Sequence, residues 1–178
     1  VVCKRLGIPA QPYLIAEVRP QVGGIIRERS FEEGRDVKAG EVLYQIDPAT
    51  YRVAHEAARA TLVKAEANLA SARVTSSRLD QLVQRNAVSK QQRDDAFAAV
   101  KQAEADVARA KADLEGARIN LAYTKVSSPI NGRIGRSSVT PGALVTASQS
   151  QALAVVQQLD PIYVDVTRST VDLLRMRS

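Results

Sequence analysis

The segment LVQRNAVSKQQ, residues 82–92, separates two long alanine-rich stretches and decides how the chain folds. Residues 49–85, which run into the start of this segment, contain no glycine and no proline, so nothing there interrupts a helix. Within it, Ser89 is followed three residues later by Gln92, which is the pattern of an N-terminal capping box. The segment therefore predicts that one long helix ends and a second begins within about one turn of chain.

Both stretches carry apolar residues at alternating steps of three and four, which is the repeat of a coiled coil. The predicted seam consists of Ala58, Leu62, Ala65, Leu69, Ala72, Ser76, Leu79 and Val83 in the first stretch, and of Ala96, Val100, Ala103, Val107, Ala110, Leu114, Ala117 and Leu121 in the second. In each stretch one series is mostly small and the other mostly bulky, so two such helices can approach closely. A connection this short favours antiparallel neighbours in one chain. A parallel dimeric coiled coil is the alternative, and the break with its new helix start argues against it.

The regions on either side of the helical stretches have short apolar pairs separated by glycines, which is a β-strand pattern. The two regions also resemble each other. The corresponding segments are 20–26 and 129–134, 33–37 and 141–145, and 43–47 and 156–160. A repeat of this kind predicts two half-units that bury their apolar faces against each other. The helices are then an insertion between the halves of one small β-sandwich, with Asp47 as a candidate cap for the first helix.

Composition and charge limit the classes of function. The net charge is +6, from 25 basic and 19 acidic residues, but the two signs alternate along the helices without a dense basic run or an aromatic platform. This pattern is typical of a solvated surface and disfavours nucleic-acid binding. Cys3 is the single cysteine, so an internal disulfide is excluded. The chain does not begin with Met and is interpreted as part of a longer protein.

Residues that could perform catalysis are sparse. His55 is the single histidine and has no cysteine or second histidine near it in the sequence, so a lightly packed imidazole is expected rather than a metal ligand. The glycines at 23–24 and 132–135 lack the strand, loop and helix context of a nucleotide-binding motif. No nucleophile–base pair is apparent. The sequence therefore predicts neither an enzyme nor a metal or cofactor site.

Four segments resemble a known family: VRPQVGGII (18–26), LYQIDPATY (43–51), ARINLAYTKVSSPINGRIGRS (117–137) and VQQLDPIYVDVT (156–167). They resemble the periplasmic adaptors, or membrane fusion proteins, of resistance-nodulation-division (RND) multidrug efflux pumps, the HlyD/AcrA/MexA-like group. The resemblance covers residues 14–178. It implies an α+β fold, in which a lipoyl-like β-sandwich (barrel-sandwich hybrid) is divided into two halves by an inserted antiparallel coiled-coil hairpin and is followed by a β-barrel domain.

The resemblance also implies domain boundaries. The lipoyl-like halves are expected at 14–48 and 123–160, the helical hairpin at 49–122, and the first strand of the β-barrel domain at 161–178. Residues 1–13 remain unassigned.

The function that the resemblance implies is that of a bridge. Such adaptors connect an inner-membrane RND transporter to an outer-membrane channel, and they form hexameric rings. The implied location is the periplasm of a Gram-negative bacterium, attached to the inner membrane. Neither nucleic acid nor a cofactor is among the implied partners.

The family also implies a partner-binding site at the hairpin tip. Its members carry an arginine, a leucine four residues later and a serine seven residues after that, where the hairpin meets the channel. Arg78, Leu82 and Ser89 stand at those spacings here. Each also has a purely structural interpretation: Ser89 as an N-cap, Leu82 as a neighbour of the seam residue Val83, and Arg78 as a solvated charge.

Two other functions are compatible with parts of the pattern. An adaptor of an ABC-type or heavy-metal exporter would share the architecture, although LAYTKVSSPINGRIG and QQLDPIYVDV favour the drug-pump branch. A lipoyl or biotinyl carrier domain would present a lysine on the turn between its halves. Here the helices replace that turn, and Lys125 follows them in a predicted strand. Neither lipoate nor biotin is therefore expected.

Overall fold

The computed structural model describes residues 10–85 and 87–164, which form two compact units. One unit comprises residues 48–124, and the other comprises the described residues on either side of them. The predictions that concern Cys3, Asn86 and the part of the β-barrel strand beyond residue 164 lie outside the described residues.

Eight strands build the β unit. They are β1 (Ala10–Val18), β2 (Gly24–Arg29), β3 (Asp36–Val37), β4 (Val42–Ile46), β5 (Lys125–Ser127), β6 (Gly132–Ile134), β7 (Leu144–Val145) and β8 (Ala154–Val164). They form two four-stranded sheets with the orders β1-β8-β6-β3 and β5-β4-β2-β7, and every pairing is antiparallel. Each sheet takes two strands from before the helices and two from after them, so the two halves of the sequence are interleaved.

The strand orders agree with the predicted internal repeat. Exchanging each strand with the one four places away, β1 with β5 and so on to β4 with β8, converts the order of the first sheet into that of the second. Equivalent glycines occupy equivalent pairings, because Gly24 pairs with Val145 and Gly132 pairs with Val37. Each strand from the first copy of the sequence repeat therefore has its counterpart, from the second copy, at the equivalent place in the other sheet.

Both of these glycines are required by close approach of a neighbouring strand. A Cβ added at Gly132 would lie 2.4 Å from the carbonyl oxygen of Gln157. A Cβ added at Gly24 would lie 2.7 Å from a side-chain carbon of Ile46. A side chain at Gly132 would displace strand β8, and a side chain at Gly24 would displace the core residue Ile46.

The core lies between the two sheets. Its fully buried side chains include Ile26, Leu43, Ile46 and Val145 from one sheet, and Ile134 and Val156 from the other. Tyr44 is also fully buried, and its hydroxyl donates to the carbonyl oxygen of Leu153 at 3.0 Å and lies 2.6 Å from Oγ of Ser137. Burial raises the pKa of the Tyr44 hydroxyl, and the Ser137 contact opposes this rise in part. Burying each of the aliphatic core side chains stabilises the fold by about 1.5–3 kcal/mol.

Strand β8 continues past the predicted boundary at residue 160. It runs to Val164, and its last residues pair with the start of β1, Ala10 with Val164 and Pro12 with Ile162. The described part of the segment 161–178 thus lies in the same strand as Ala154.

The second unit contains two long helices, α1 (Ala49–Gln84) and α2 (Lys90–Ala122). Helix α1 begins after Pro48, which occupies the cap position without a side-chain hydrogen bond. The role of Asp47 in capping this helix stays a prediction. At about 1.5 Å of rise per residue, each helix is on the order of 50 Å long.

The predicted seam is the contact between the helices. Every seam residue is at least partly buried, whereas most other helix residues are exposed. Val107 and Ala110 are the most buried, and Arg73 of α1 donates to Glu104 of α2 at 3.0 Å. The two helices pack against each other in opposite directions, as their short connection predicts. No helix in the described ranges is both long and apolar enough to cross a membrane.

Candidate functional site: the tip of the helical pair

The tip is formed where α1 ends and α2 begins. The backbone N–H groups of Arg85 and Ala87 both donate to the carbonyl oxygen of Leu82, at 3.1 and 2.9 Å, and these bonds close the last turn of α1. The cap of α2, Ser89, follows four residues after Arg85. The break that the sequence predicts is thus confirmed in position and in length.

Ser89 begins the second helix through the predicted capping box. Its Oγ accepts the N–H of Gln92 at 3.2 Å, and its own N–H donates to Oε1 of Gln92 at 3.1 Å. The side chain of Ser89 is exposed, and its hydroxyl hydrogen is available to a further acceptor. The structural interpretation of Ser89 is therefore confirmed, and its contact with a partner stays a prediction.

Arg78 and Leu82 lie four residues apart in the last turns of α1. This spacing places them on one face of the helix. Arg78 is exposed, and Leu82 is partly buried beside the seam residue Val83. The predicted site residues are thus at the same end of the helical pair, two on α1 and one at the start of α2.

Charged residues near the tip form an ion pair within α2. Arg93 of α2 is partly buried and donates to the carboxylate of Asp94 at 2.7 and 3.1 Å. The hydrogen bond and charge of Asp94 raise the pKa of Arg93, and the charge of Asp80 on α1 adds to the effect. No pattern in the sequence had indicated this ion pair.

An ionic link between the two helices lies farther from the tip. Glu104 accepts from Lys101 of the same helix and from Arg73 of α1, both at 3.0 Å. These two contacts lower the pKa of the Glu104 carboxyl. Arg73 and Glu104 each directly follow a seam alanine, Ala72 and Ala103, which is the signal in the sequence that could have revealed the pair.

The described residues give no sign of a metal or carrier site. Within 10–85 and 87–164, no three His, Cys, Asp or Glu side chains cluster closely enough to hold an ion. His55 is partly buried, and its Nδ1 lies 3.4 Å from a carboxylate oxygen of Glu56. Lys125 is the first residue of β5 and pairs with Gln45 of β4. It therefore stands in a strand and not at the apex of a turn.

The sequence profile of the barrel-sandwich hybrid domain of RND membrane fusion proteins matches residues 14–157. This range includes β2 to β7, both helices, the second half of β1 and the beginning of β8. The chain belongs to the RND membrane fusion protein family.

Individual members of this family are closely similar to the chain. The multidrug efflux pump subunit AcrA of Escherichia coli K12 is 58% identical over 165 residues, which are 93% of this chain and 42% of AcrA. The multidrug resistance protein MexA of Pseudomonas aeruginosa is also 58% identical over 165 residues, which are 39% of MexA. The chain thus spans about two fifths of the length of these membrane fusion proteins.

A solved structure extends the similarity to three dimensions. It is a MacA–MexA chimeric protein that contains the α-hairpin domain of Pseudomonas aeruginosa MexA. The match has a TM-score of 0.57 at 36% identity and covers 93% of this chain and 55% of the chimera.

Proposed function

We propose that this chain is part of a periplasmic adaptor in a tripartite efflux pump, bridging an inner-membrane RND transporter to an outer-membrane channel for multidrug export. The observation that carries the proposal is the 58% identity to AcrA and MexA over nearly the whole chain. The pair of long helices supports it, because a rod on the order of 50 Å suits a spacer better than a catalyst.

The helical pair acts as a two-stranded antiparallel coiled coil. The seam residues of both helices are less exposed than most other helix residues, and Val107 and Ala110 are nearly inaccessible to solvent. Two packed helices resist bending better than one, which a bridging element requires. In this proposal, the β-barrel domain begins within the segment 161–178, after the end of β8 at Val164.

The tip residues contact the channel through helix-to-helix packing. Leu82 fills an apolar notch between channel helices, and the exposed Arg78 donates to carboxylate or carbonyl oxygens. Ser89 donates its remaining hydroxyl hydrogen to backbone at a helix end. The exposure of Arg78 and Ser89 supports this role.

The proposal extends to location and assembly. The protein works in the periplasm of a Gram-negative bacterium, attached to the inner membrane, and its β units stand side by side in a hexameric ring. Its role is mechanical and non-catalytic, since it seals a conduit and positions two membrane proteins.

The experiment is genetic complementation with the full-length parent gene. In a strain that lacks this gene, the wild-type gene should restore drug resistance, whereas Arg78→Asp and Leu82→Ala should not, although both proteins accumulate to wild-type levels. Arg136→Asp reverses an exposed charge in the β unit and serves as the matched control with unchanged resistance. Wild-type resistance in both tip variants would contradict the tip assignment. Failure of the wild-type gene to affect resistance would contradict the function itself.

A further inference from the structure

Asn131 and Gly132 form the single asparagine–glycine pair of the chain, at the point where β6 begins. Asparagine is chemically labile, because the backbone nitrogen of the following residue can attack its side-chain amide carbon. Glycine has no Cβ to obstruct that attack. The other asparagines, Asn68, Asn86 and Asn120, precede leucine or alanine. Asn131 is therefore the asparagine at which this reaction is expected first.

The side-chain amide of Asn131 is held at its oxygen. This oxygen, Oδ1, accepts the N–H of Ala39 at 2.7 Å, which connects the loop before β6 to the residues after β3. The residue is exposed, and its Nδ2 forms no hydrogen bond with any residue in the ranges 10–85 and 87–164. The nitrogen that the reaction would release as ammonia is thus free of protein partners.

Strand β3 protects this pair of residues in the folded state. Ile134 donates its N–H to the carbonyl oxygen of Arg35 at 3.0 Å, and hydrogen-bonded pairs recur at every second residue of an antiparallel ladder. Gly132, which pairs with Val37, therefore occupies a hydrogen-bonded position. Its nitrogen can attack Asn131 only after this part of the ladder has opened.

Strand β3 is held by few contacts. It has two residues, lies at the edge of its sheet and pairs with β6 alone. Val37 is buried in the core, whereas Asp36 is exposed and accepts two hydrogen bonds from Arg133 of β6, at 3.0 and 3.3 Å. Short edge strands with exposed contacts belong to the parts of a protein that open locally without global unfolding.

Strand β6 has no room for one of the two products of the reaction. Isoaspartate lengthens the main chain by one carbon between residues 131 and 132. The main chain of β6 already lies against that of β8 here, since a Cβ added at Gly132 would lie 2.4 Å from the carbonyl oxygen of Gln157. The extra carbon therefore shifts Gly132 out of register with Val37.

We propose that Asn131 is a site of deamidation whose rate is controlled by the opening of β3. The nitrogen of Gly132 bonds to Cγ of Asn131, the bond from Cγ to Nδ2 breaks, and ammonia leaves with the proton of the attacking nitrogen. Water then opens the cyclic imide at either carbonyl carbon. Opening at Cγ gives aspartate, and opening at the main-chain carbon gives isoaspartate, which prevents β3 from pairing with β6 again.

The test is peptide mapping of the full-length protein during incubation at mildly alkaline pH, where the attacking nitrogen loses its proton more readily. Mass spectrometry measures the amide lost at each asparagine and distinguishes aspartate from isoaspartate. Deamidation should occur at Asn131 before Asn68 or Asn120, and severalfold faster in guanidinium chloride than in the folded protein. No deamidation at Asn131 in the unfolded protein, or equal rates in the two states, would overturn the proposal.

A pair of variants tests the control by β3. Asp36→Asn removes the ion pair with Arg133 and should accelerate deamidation in the folded protein severalfold, because β3 then opens more often. Glu17→Gln removes an exposed ion pair with Arg19 elsewhere in the β unit and should leave the rate at Asn131 unchanged. Circular dichroism checks that both variants are folded, as expected for the loss of exposed ion pairs. Equal rates in the two variants would contradict control by β3.

The effect of isoaspartate on β3 has a measurement of its own. Trypsin cleaves after Arg35 and Lys38, on either side of β3, and cleavage of a folded protein requires local opening. Protein that contains isoaspartate should be cut there severalfold faster than unmodified protein. Asn131→Asp adds the same charge without lengthening the main chain and keeps an acceptor for Ala39, so it should be cut at the wild-type rate. Equally fast cleavage of this variant would assign the effect to charge and overturn the argument from the main chain.

These measurements do not depend on the adaptor role. Deamidation at the expected rates in a protein without effect on drug resistance supports this inference and contradicts the proposed function. An unreactive Asn131 in a protein that restores resistance has the opposite meaning.

Discussion

At the scale of single residues, the same side chain can serve the fold and a partner. Ser89 shows this clearly, because its Oγ closes the capping box with Gln92 while the side chain remains exposed at the tip. A loss of resistance in a Ser89 variant could therefore reflect either a weakened helix start or a lost contact. The two causes can be separated by substitutions that treat the cap differently.

Replacing Ser89 with Ala should destabilise the protein, since the N–H of Gln92 loses its acceptor. The expected loss in the free energy of unfolding is about 1 kcal/mol, measured by urea denaturation. Ser89→Asp keeps a side-chain acceptor at the cap and should retain nearly the wild-type stability. An Ala variant as stable as the wild type would show that the capping box contributes nothing to folding. If the Asp variant is stable but loses resistance, Ser89 contacts the partner directly.

Single residues also show where prediction from the sequence succeeds and fails. The capping box was predictable because both of its bonds are local and depend on a fixed spacing of three residues. The exact first residue of α1 was less predictable, since Asp47 and Pro48 both favour a helix start, and the helix begins after Pro48. The ion pair of Arg93 with Asp94 depends on which way the long arginine side chain turns. No spacing in the sequence determines that choice.

At the scale of elements, the helices were more predictable than the strands. The seam follows from heptad periodicity, and every predicted seam residue is less exposed than its neighbours on the outer faces. Strands β3 and β7 have two residues each, too few for alternation of apolar and polar residues to be recognised. The order of the strands could not be derived from local pattern. The repeat of the two halves nevertheless predicted that they bury their faces against each other.

The link between the helices at Glu104 should depend on pH. Its carboxyl pKa is lowered from the ordinary 4.5 by hydrogen bonds from Lys101 and Arg73, so the folded state favours the charged form. The resulting stabilisation is present above pH 4.5 and is lost as the pH falls through the lower pKa of the folded state. The melting temperature of the wild type should therefore decrease more than that of Glu104→Gln between pH 6 and pH 3. Identical pH profiles would show that the contact does not couple the helices in solution.

At the scale of the whole molecule, the β unit owes its integrity to interleaving. Each sheet takes strands from both halves of the sequence, so neither half can form a complete sheet without the other. The helices enter this unit between β4 and β5, which are hydrogen-bonded neighbours with Gln45 opposite Lys125. The chain therefore leaves the β unit and returns to it at two points that are close together. This holds independently of what the chain does between them.

This closeness makes the insertion replaceable. In a variant with an Asn-Gly pair in place of residues 48–124, β4 and β5 should become an ordinary hairpin, because such a pair favours the turn that joins antiparallel strands. All eight strands and the buried Tyr44 remain in the variant, so the β unit should still unfold cooperatively, as followed by β-sheet circular dichroism and tyrosine fluorescence. Removing residues 1–47 instead should abolish cooperative unfolding, because each sheet then loses two of its four strands. If the Asn-Gly variant is unfolded while its expression and solubility are normal, the β unit depends on the helices for its stability. In that case the two halves do not hold each other by interleaving alone.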